Sequence, residues 1–277
     1  FDMTLGIFKN SDTAASSSST PSSDINGKLL FVSQSLMMRE KISVYNQFAQ
    51  ELWPINRSLT GEGVRETLKR ISKHVSSLKI KSVPSGTKVF DWTVPKEWDI
   101  KEAYIITPNG KKICDFSKNN LHLVGYSIPF EGDISFEELK THLHTLPDQP
   151  NAIPYVTSYY EERWGFCLSQ EKFNTLESGI YKVVIKSRLF KGEMNYGELL
   201  IKGKSEKEIF LSTYICHPSM ANNELSGPCV LTFLAKWLQE IDLTNYSYRI
   251  IFIPETIGSI TYLSQNYIEM KNKLAEL

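Results

Sequence analysis

The chain carries no excess of either charge. Among its 277 residues, 31 Lys and Arg balance 31 Asp and Glu, so it lacks the electrostatic footprint that a phosphate backbone or an anionic membrane attracts. No apolar run approaches the length of a bilayer-spanning helix, and no basic, apolar and small-residue succession opens the chain as a secretory signal would. Nucleic acid and membranes are therefore not expected as partners, and a cytoplasmic setting is. Cysteine is scarce too. Cys114, Cys167, Cys216 and Cys229 are widely spaced in apolar surroundings, which suits reduced core thiols better than a disulfide frame or a zinc knuckle. A Gly-x-Ser-x-Gly elbow is absent, so no acylating serine of that type is expected, and nothing repeats at a fixed period. The chain begins with Phe1 and stops at Leu277 inside a helical pattern, which leads to the expectation of a fragment.

What is present suffices for a full core: 41% of the residues are hydrophobic, and the length allows two domains. Residues 1–35, with their Ser- and Thr-rich run, read as a flexible leader. Ile42, Tyr45, Phe48, Ala49 and Leu52 make one helical face, and Val64, Leu68, Ile71 and Val75 make a second, with Trp53-Pro54 and Thr60-Gly61 breaking the pair. From 89 to 179 the character changes to short β-prone runs such as Ala103 to Ile106, a Pro108-Asn109-Gly110 turn and many aromatics. This stretch is expected to pack as an inserted, mostly β domain between 36–88 and 180–277. Within it Ser135-Phe-Glu-Glu138 is a capping box for a helix reaching Leu143. Trp92, Trp98, Tyr155, Tyr159, Tyr160 and Trp164 suit core packing better than a substrate groove. His142 and His144 read as a solvated edge.

The chemistry lies in the second half. Strands expected over Tyr181 to Ile185, Tyr196 to Ile201 and Ile209 to Ile215 lead to Cys216-His217-Pro, and Tyr248 to Ile253 leads to Pro254-Glu255-Thr256. Between the last two, Val230, Leu231, Leu234, Trp237 and Leu238 give a helix from Pro228 to Glu240 one buried face, with Ser226 as its N-cap. A strand, helix and strand of this length cross over right-handed between parallel strands, so His217 and Glu255 should emerge at one carboxyl edge. A neutral imidazole is a natural zinc ligand, and a nearby carboxylate can move a proton between water and a leaving amine. The plainer account makes His217 a hydrogen-bonded strand-end residue and Glu255 a helix cap. Cys216 and His217, as neighbours on a strand, should point to opposite faces and form no nucleophile and base pair.

Longer motifs carry a family likeness: Leu52-Trp-Pro-Ile-Asn-Arg-Ser-Leu-Thr-Gly-Glu-Gly-Val-Arg65, Val89 to Trp98, Leu121-His-Leu-Val-Gly-Tyr-Ser127, Ile153 to Tyr160, Arg163-Trp-Gly-Phe-Cys167, the Cys216-His217-Pro block and Pro254-Glu-Thr-Ile-Gly-Ser259. With these the chain resembles aminopeptidase-like proteins related to the zinc-dependent aminopeptidases. The resemblance implies an α/β fold, a zinc-peptidase sheet of the phosphorylase/hydrolase-like kind with helices on both faces, plus an inserted protease-associated-like β domain. It also implies a metallohydrolase that cleaves a peptide or peptide-like amide with a zinc-activated water, using one or two zinc ions. His217 matches the first metal ligand and Glu255 the general base. Asn223 stands where the family has a metal-bridging acid and Thr256 where it has a second glutamate, so a two-zinc site loses two carboxylates. The family's later Asp and His would lie past Leu277, which makes the chain alone an inactive fragment on this reading. The competing reading is a non-catalytic ligand-binding protein on the peptidase fold with a vestigial metal site. A homo-oligomer is compatible with either.

Overall fold

The computed structural model describes residues 42–241 and 244–275. The leader expected over 1–35 lies outside the described residues. Contacts gather Tyr45–Leu277 into one compact unit.

After a helix over residues 42–52 (α1) come α2 (Glu62–His74), β1 (Lys79–Pro84), β2 (Lys88–Val89), β3 (Trp92–Thr93), β4 (Glu97–Ile106) and β5 (Lys112–Ile113). A second group follows: β6 (Phe130–Ser135), α3 (Phe136–Lys140), β7 (Leu143–His144), β8 (Phe166–Cys167), α4 (Gln170–Phe173) and β9 (Ile180–Phe190). The chain then runs through β10 (Glu193–Ile201), β11 (Glu208–Tyr214), α5 (Ser226–Glu240), β12 (Ser247–Ile253) and α6 (Ile257–Lys273).

The main sheet has the order β1-β10-β12-β11. β11 and β12 run parallel, joined through α5, while β10 is antiparallel to both β1 and β12. Side chains alternate across a strand, and β12 shows it: Ile250 and Phe252 pack with α1, α2 and α5, whereas Ile251 and Ile253 pack with Ile257, Tyr262 and Met270 of α6. Helices thus cover both faces of an α/β sheet, as expected.

A second sheet, ordered β5-β4-β9-β6, is antiparallel throughout. Thr107 to Lys111 make the tight turn between β4 and β5, with Gly110 at φ 80°. This sheet takes in β9, which lies after residue 179, and its Ala103, Ile105, Val183 and Ile185 belong to the same buried cluster as Val83, Met194 and Ile251 of the main sheet. One core therefore serves both sheets.

Local departures from expectation have physical causes. α5 starts at Ser226 with Leu225 at the cap position, and the Ser226 hydroxyl donates back to the Asn222 carbonyl at 2.5 Å instead of capping forward. Its buried face is Cys229, Leu231, Ala235 and Leu238, while Val230 and Trp237 are exposed. The capping box at Ser135 forms, with the Glu138 N–H donating to the Ser135 hydroxyl, but α3 stops at Lys140. His142 is no solvated edge: its ring stacks on Trp164 with centroids 3.7 Å apart.

Gly61 sets the approach of α2 to the second sheet. It sits at φ 98°, and a Cβ there would lie 2.7 Å from the Trp98 carbonyl oxygen. Gly61→Ala is expected to cost about 2–4 kcal/mol, from the left-handed backbone plus the backbone collision. A denaturant midpoint unchanged from that of the parent protein would refute this packing argument.

Candidate active site

Strand register builds the site. Tyr214 pairs with Ile253 at the parallel ends of β11 and β12, and the Ile215 N–H still donates to the Ile253 carbonyl at 3.0 Å. His217 and Glu255 then leave the sheet side by side, with His217 Nε2 3.3 Å from Glu255 Oε2. His217 is buried, while the Glu255 side chain is 52% exposed. Thr256, the next residue, is held at φ 56°, a conformation costly for a β-branched side chain and characteristic of functional turns.

The other imidazole nitrogen meets a second acid. His217 Nδ1 lies 3.2 Å from Glu224 Oε2 and 3.3 Å from Cys216 Sγ. Glu224 is fully buried, and its other oxygen accepts from Arg57 Nε at 3.2 Å. Arg57 Nε also donates to the His217 carbonyl at 3.0 Å, and Nη1 donates to the Leu52 carbonyl at 2.7 Å. Burial pulls the Arg57 guanidinium below its usual range, opposed by the Glu224 charge. Burial first, and then the Glu224 charge, push the Cys216 thiol well above its ordinary value.

Glu224 faces inward because residues Ala221–Leu225 form a π-helical turn, in which the Leu225 N–H reaches the Met220 carbonyl at 3.1 Å. Asn223 is exposed on the same turn, and its backbone carbonyl accepts from the Tyr214 hydroxyl. The acid against His217 is thus Glu224, not a group at position 223. Cys216 and His217 lie past the end of β11, so the alternation that was expected to separate them does not apply, and sulfur and imidazole are in contact. Thr256 is exposed, one residue beyond Glu255.

Aromatic rings enclose the imidazole. Tyr155 and Tyr214 meet it edge-on, with centroids 5.0 and 5.3 Å away. The Tyr155 and Tyr159 hydroxyls are 2.8 Å apart, and burial pushes the Tyr159 phenol up to about 12. Trp98 and Trp164 are buried, whereas Trp92 and Tyr160 pair on the surface. Beside the site, Arg57, Asn120, Tyr155 and Pro218 line a small cavity. Arg57 Nη2 and Asn120 Oδ1 are buried without a hydrogen-bond partner among the described residues.

Among the described residues, Cys216, His217 and Glu224 are a group of three whose ligand atoms lie within 4.8 Å of one another. Imidazole nitrogen, carboxylate oxygen and thiolate sulfur are zinc donors, and ligands around a tetrahedral ion stand roughly 3–4 Å apart. The donor set fits zinc in type, and the two pairs that share His217 Nδ1, at 3.3 and 3.2 Å, have that spacing.

Similarity to known proteins follows the same architecture. A Clostridium acetobutylicum protein, provisionally described as a polysaccharide biosynthesis protein with aminopeptidase-like domain, is 54% identical over 229 residues, which is 83% of this chain and 52% of the relative. The chain thus spans about half the length of that curated relative. A crystal structure from the same organism, provisionally assigned as a peptidase, superposes with a TM-score of 0.81 at 49% identity, covering 91% of this chain and 57% of the other. Two structures at 11% identity share the fold. A zinc aminopeptidase from Bacillus subtilis has a TM-score of 0.56 over 85% of this chain and 66% of the other. A peptidase M28 precursor from Shewanella amazonensis has 0.51 over 85% and 73%. The fold is that of the M28 aminopeptidases, and through its match over residues 46–276 the chain belongs to the family described as Domain of unknown function (DUF4910).

Proposed function

We propose that this chain carries the sheet edge of a zinc-dependent, aminopeptidase-like hydrolase acting on a peptide or peptide-like amide. The observation that carries the proposal is the placement of one imidazole between a buried and an exposed carboxylate, at the ends of two parallel strands. The names of the relatives support the reaction class. His217 Nδ1 and Glu224 are the donors that would hold zinc, with Arg57 fixing the far oxygen of Glu224 so that the near one faces the site. Zinc, when bound, supplies a Lewis acid that polarises the scissile carbonyl and acidifies water.

The remaining work falls to the chain's own groups. Glu255 Oε2 stands 3.3 Å from His217 Nε2, and its negative charge there favours the tautomer with the proton on Nε2, which leaves Nδ1 free. Glu255 Oε1 has no hydrogen bond among the described residues, and the side chain is open to solvent. This carboxylate is placed to take the proton of an attacking water and pass it to the leaving amine. Tyr155 and Tyr214 shield the imidazole from bulk water. A cytoplasmic setting belongs to the same proposal, supported by four buried cysteines with no disulfide.

The test is metal content together with hydrolysis of a leucine anilide by the full-length protein, because the 277-residue chain alone is expected to be inactive. Bound zinc, loss of turnover on chelation and its return with zinc are the expected results. The non-catalytic binding protein keeps support from Asn223 and Thr256, whose neutral side chains stand where the resemblance places carboxylates. Metal-free protein with no turnover at any zinc concentration would decide for it.

A further inference from the structure

We infer that Cys216 is a metal ligand, so that the ion is held by a thiolate, an imidazole and a carboxylate, a donor set in which the His–Glu core gains a sulfur. The inference rests on the zinc reading above and adds to it the identity of the third donor.

Two contacts point to the sulfur. Cys216 Sγ lies 3.3 Å from His217 Nδ1, the same nitrogen that meets Glu224 at 3.2 Å. Sulfur, carboxylate and imidazole therefore converge on one side of the ring, leaving Nε2 to Glu255 on the other. Next, the Glu255 backbone N–H donates to Cys216 Sγ at 3.1 Å. An amide N–H aimed at sulfur stabilises an electron-rich ligand, and such hydrogen bonds are among the levers that tune thiolate metal sites. The turn that aims it passes through Thr256 at φ 56°, so strained backbone at this point has a use.

Charge supplies the remaining argument. With Cys216 as a thiolate, the buried set holds two negative groups, Cys216 and Glu224, and Arg57 as one positive group, with Glu255 a further anion across the ring. A divalent cation brings the sum to zero: minus three from the three anions, plus one from Arg57, plus two from the ion. On binding, the thiol gives its proton to solvent and the sulfur lone pair forms the new bond to the ion. Three protein donors also leave a fourth position open, the pattern of a catalytic zinc site. The other cysteines, Cys114, Cys167 and Cys229, are buried and fall outside this group.

Cobalt(II) is the probe. The metal-stripped 277-residue protein is titrated with cobalt while visible d–d bands and the near-ultraviolet sulfur-to-cobalt charge-transfer band are followed. The parent protein should develop both, and Cys216→Ser should keep d–d bands while losing charge transfer. Cys229→Ser should keep both. Visible bands with no charge transfer in the parent protein would remove Cys216 from the ligand set and leave the zinc reading standing. No cobalt signal of either kind, with no zinc retained, would overturn the zinc reading and this inference together. The decisive spectrum is that of the parent protein, so the result does not depend on how well Cys216→Ser folds.

Discussion

Glu255→Gln is expected to retain zinc and to lose turnover by about 10²–10⁴-fold, the range over which a positioned general base contributes. The amide keeps the length of the side chain, and its oxygen can still face His217 Nε2 at the 3.3 Å that now separates Glu255 Oε2 from that nitrogen. The imidazole therefore keeps its tautomer and Nδ1 stays available for the ion. What is lost is the capacity to take a proton, because a neutral carboxamide is no base near neutral pH. Because Glu255 is half exposed and lies outside the core, the melting temperature should move little. The measurement is kcat on a leucine anilide in zinc-saturated full-length protein, beside metal content by elemental analysis. Full activity in the variant removes the proton-transfer role, and loss of zinc along with activity would show that Glu255 supports the metal instead.

The pairing of His217 with Glu255 was legible from sequence because it needs only strand ends. An apolar run that stops at a polar residue, followed by a helix with one buried face and a second such run, fixes a parallel crossover, and β11, α5 and β12 follow that pattern. Glu224 was not legible. The family resemblance places the acid three residues before the Ser226-Gly227 pair, at Asn223, and carries no information on the turn this loop adopts. The π-helical turn at Ala221–Leu225 adds a residue to the turn, which shifts the inward position by one and turns Glu224 to the imidazole. Arg57 was hidden for another reason: it lies in a loop some 160 residues from His217 in sequence, and periodicity says nothing about a contact of that range. A signal was available in principle, since Glu224 is a charged residue directly before apolar Leu225 at the entry to a buried helix. The Cys216 contact was misjudged because strand alternation was extended past Tyr214, where β11 ends. The break at residue 179 shows the same limit, since composition changes there while hydrogen bonding carries β9 into the second sheet.

Arg57→Met tests the buried half of the site, and its effect should be the larger on stability. The guanidinium is 1% exposed and holds four things together: Glu224, the His217 carbonyl, the Leu52 carbonyl and the wall of the cavity by Tyr155. Methionine fills much of the same volume, so the cost comes from polarity more than from a void. Removing one member of a buried ion pair strands the other charge, and Glu224 is fully buried with no other cation in hydrogen-bond contact among the described residues. Such a loss typically amounts to roughly 3–5 kcal/mol. At about 2–4 °C per kcal/mol for a unit of this size, the melting temperature should fall by roughly 6–20 °C in metal-free protein. Metal separates this from an ordinary core defect. An ion beside Glu224 would supply the positive charge that Arg57 no longer does, so added zinc should recover part of the lost stability in Arg57→Met, because a ligand that binds only the folded state stabilises it. Its affinity should still fall by about 10–100-fold, since the carboxylate has lost the group that orients it. Calorimetric melting of the parent and variant, each with and without zinc, reads both effects. A melting temperature within 2 °C of the parent in metal-free protein, a bound set at about 1 kcal/mol or less, would mean that the Arg57–Glu224 pair does not hold this edge of the sheet together.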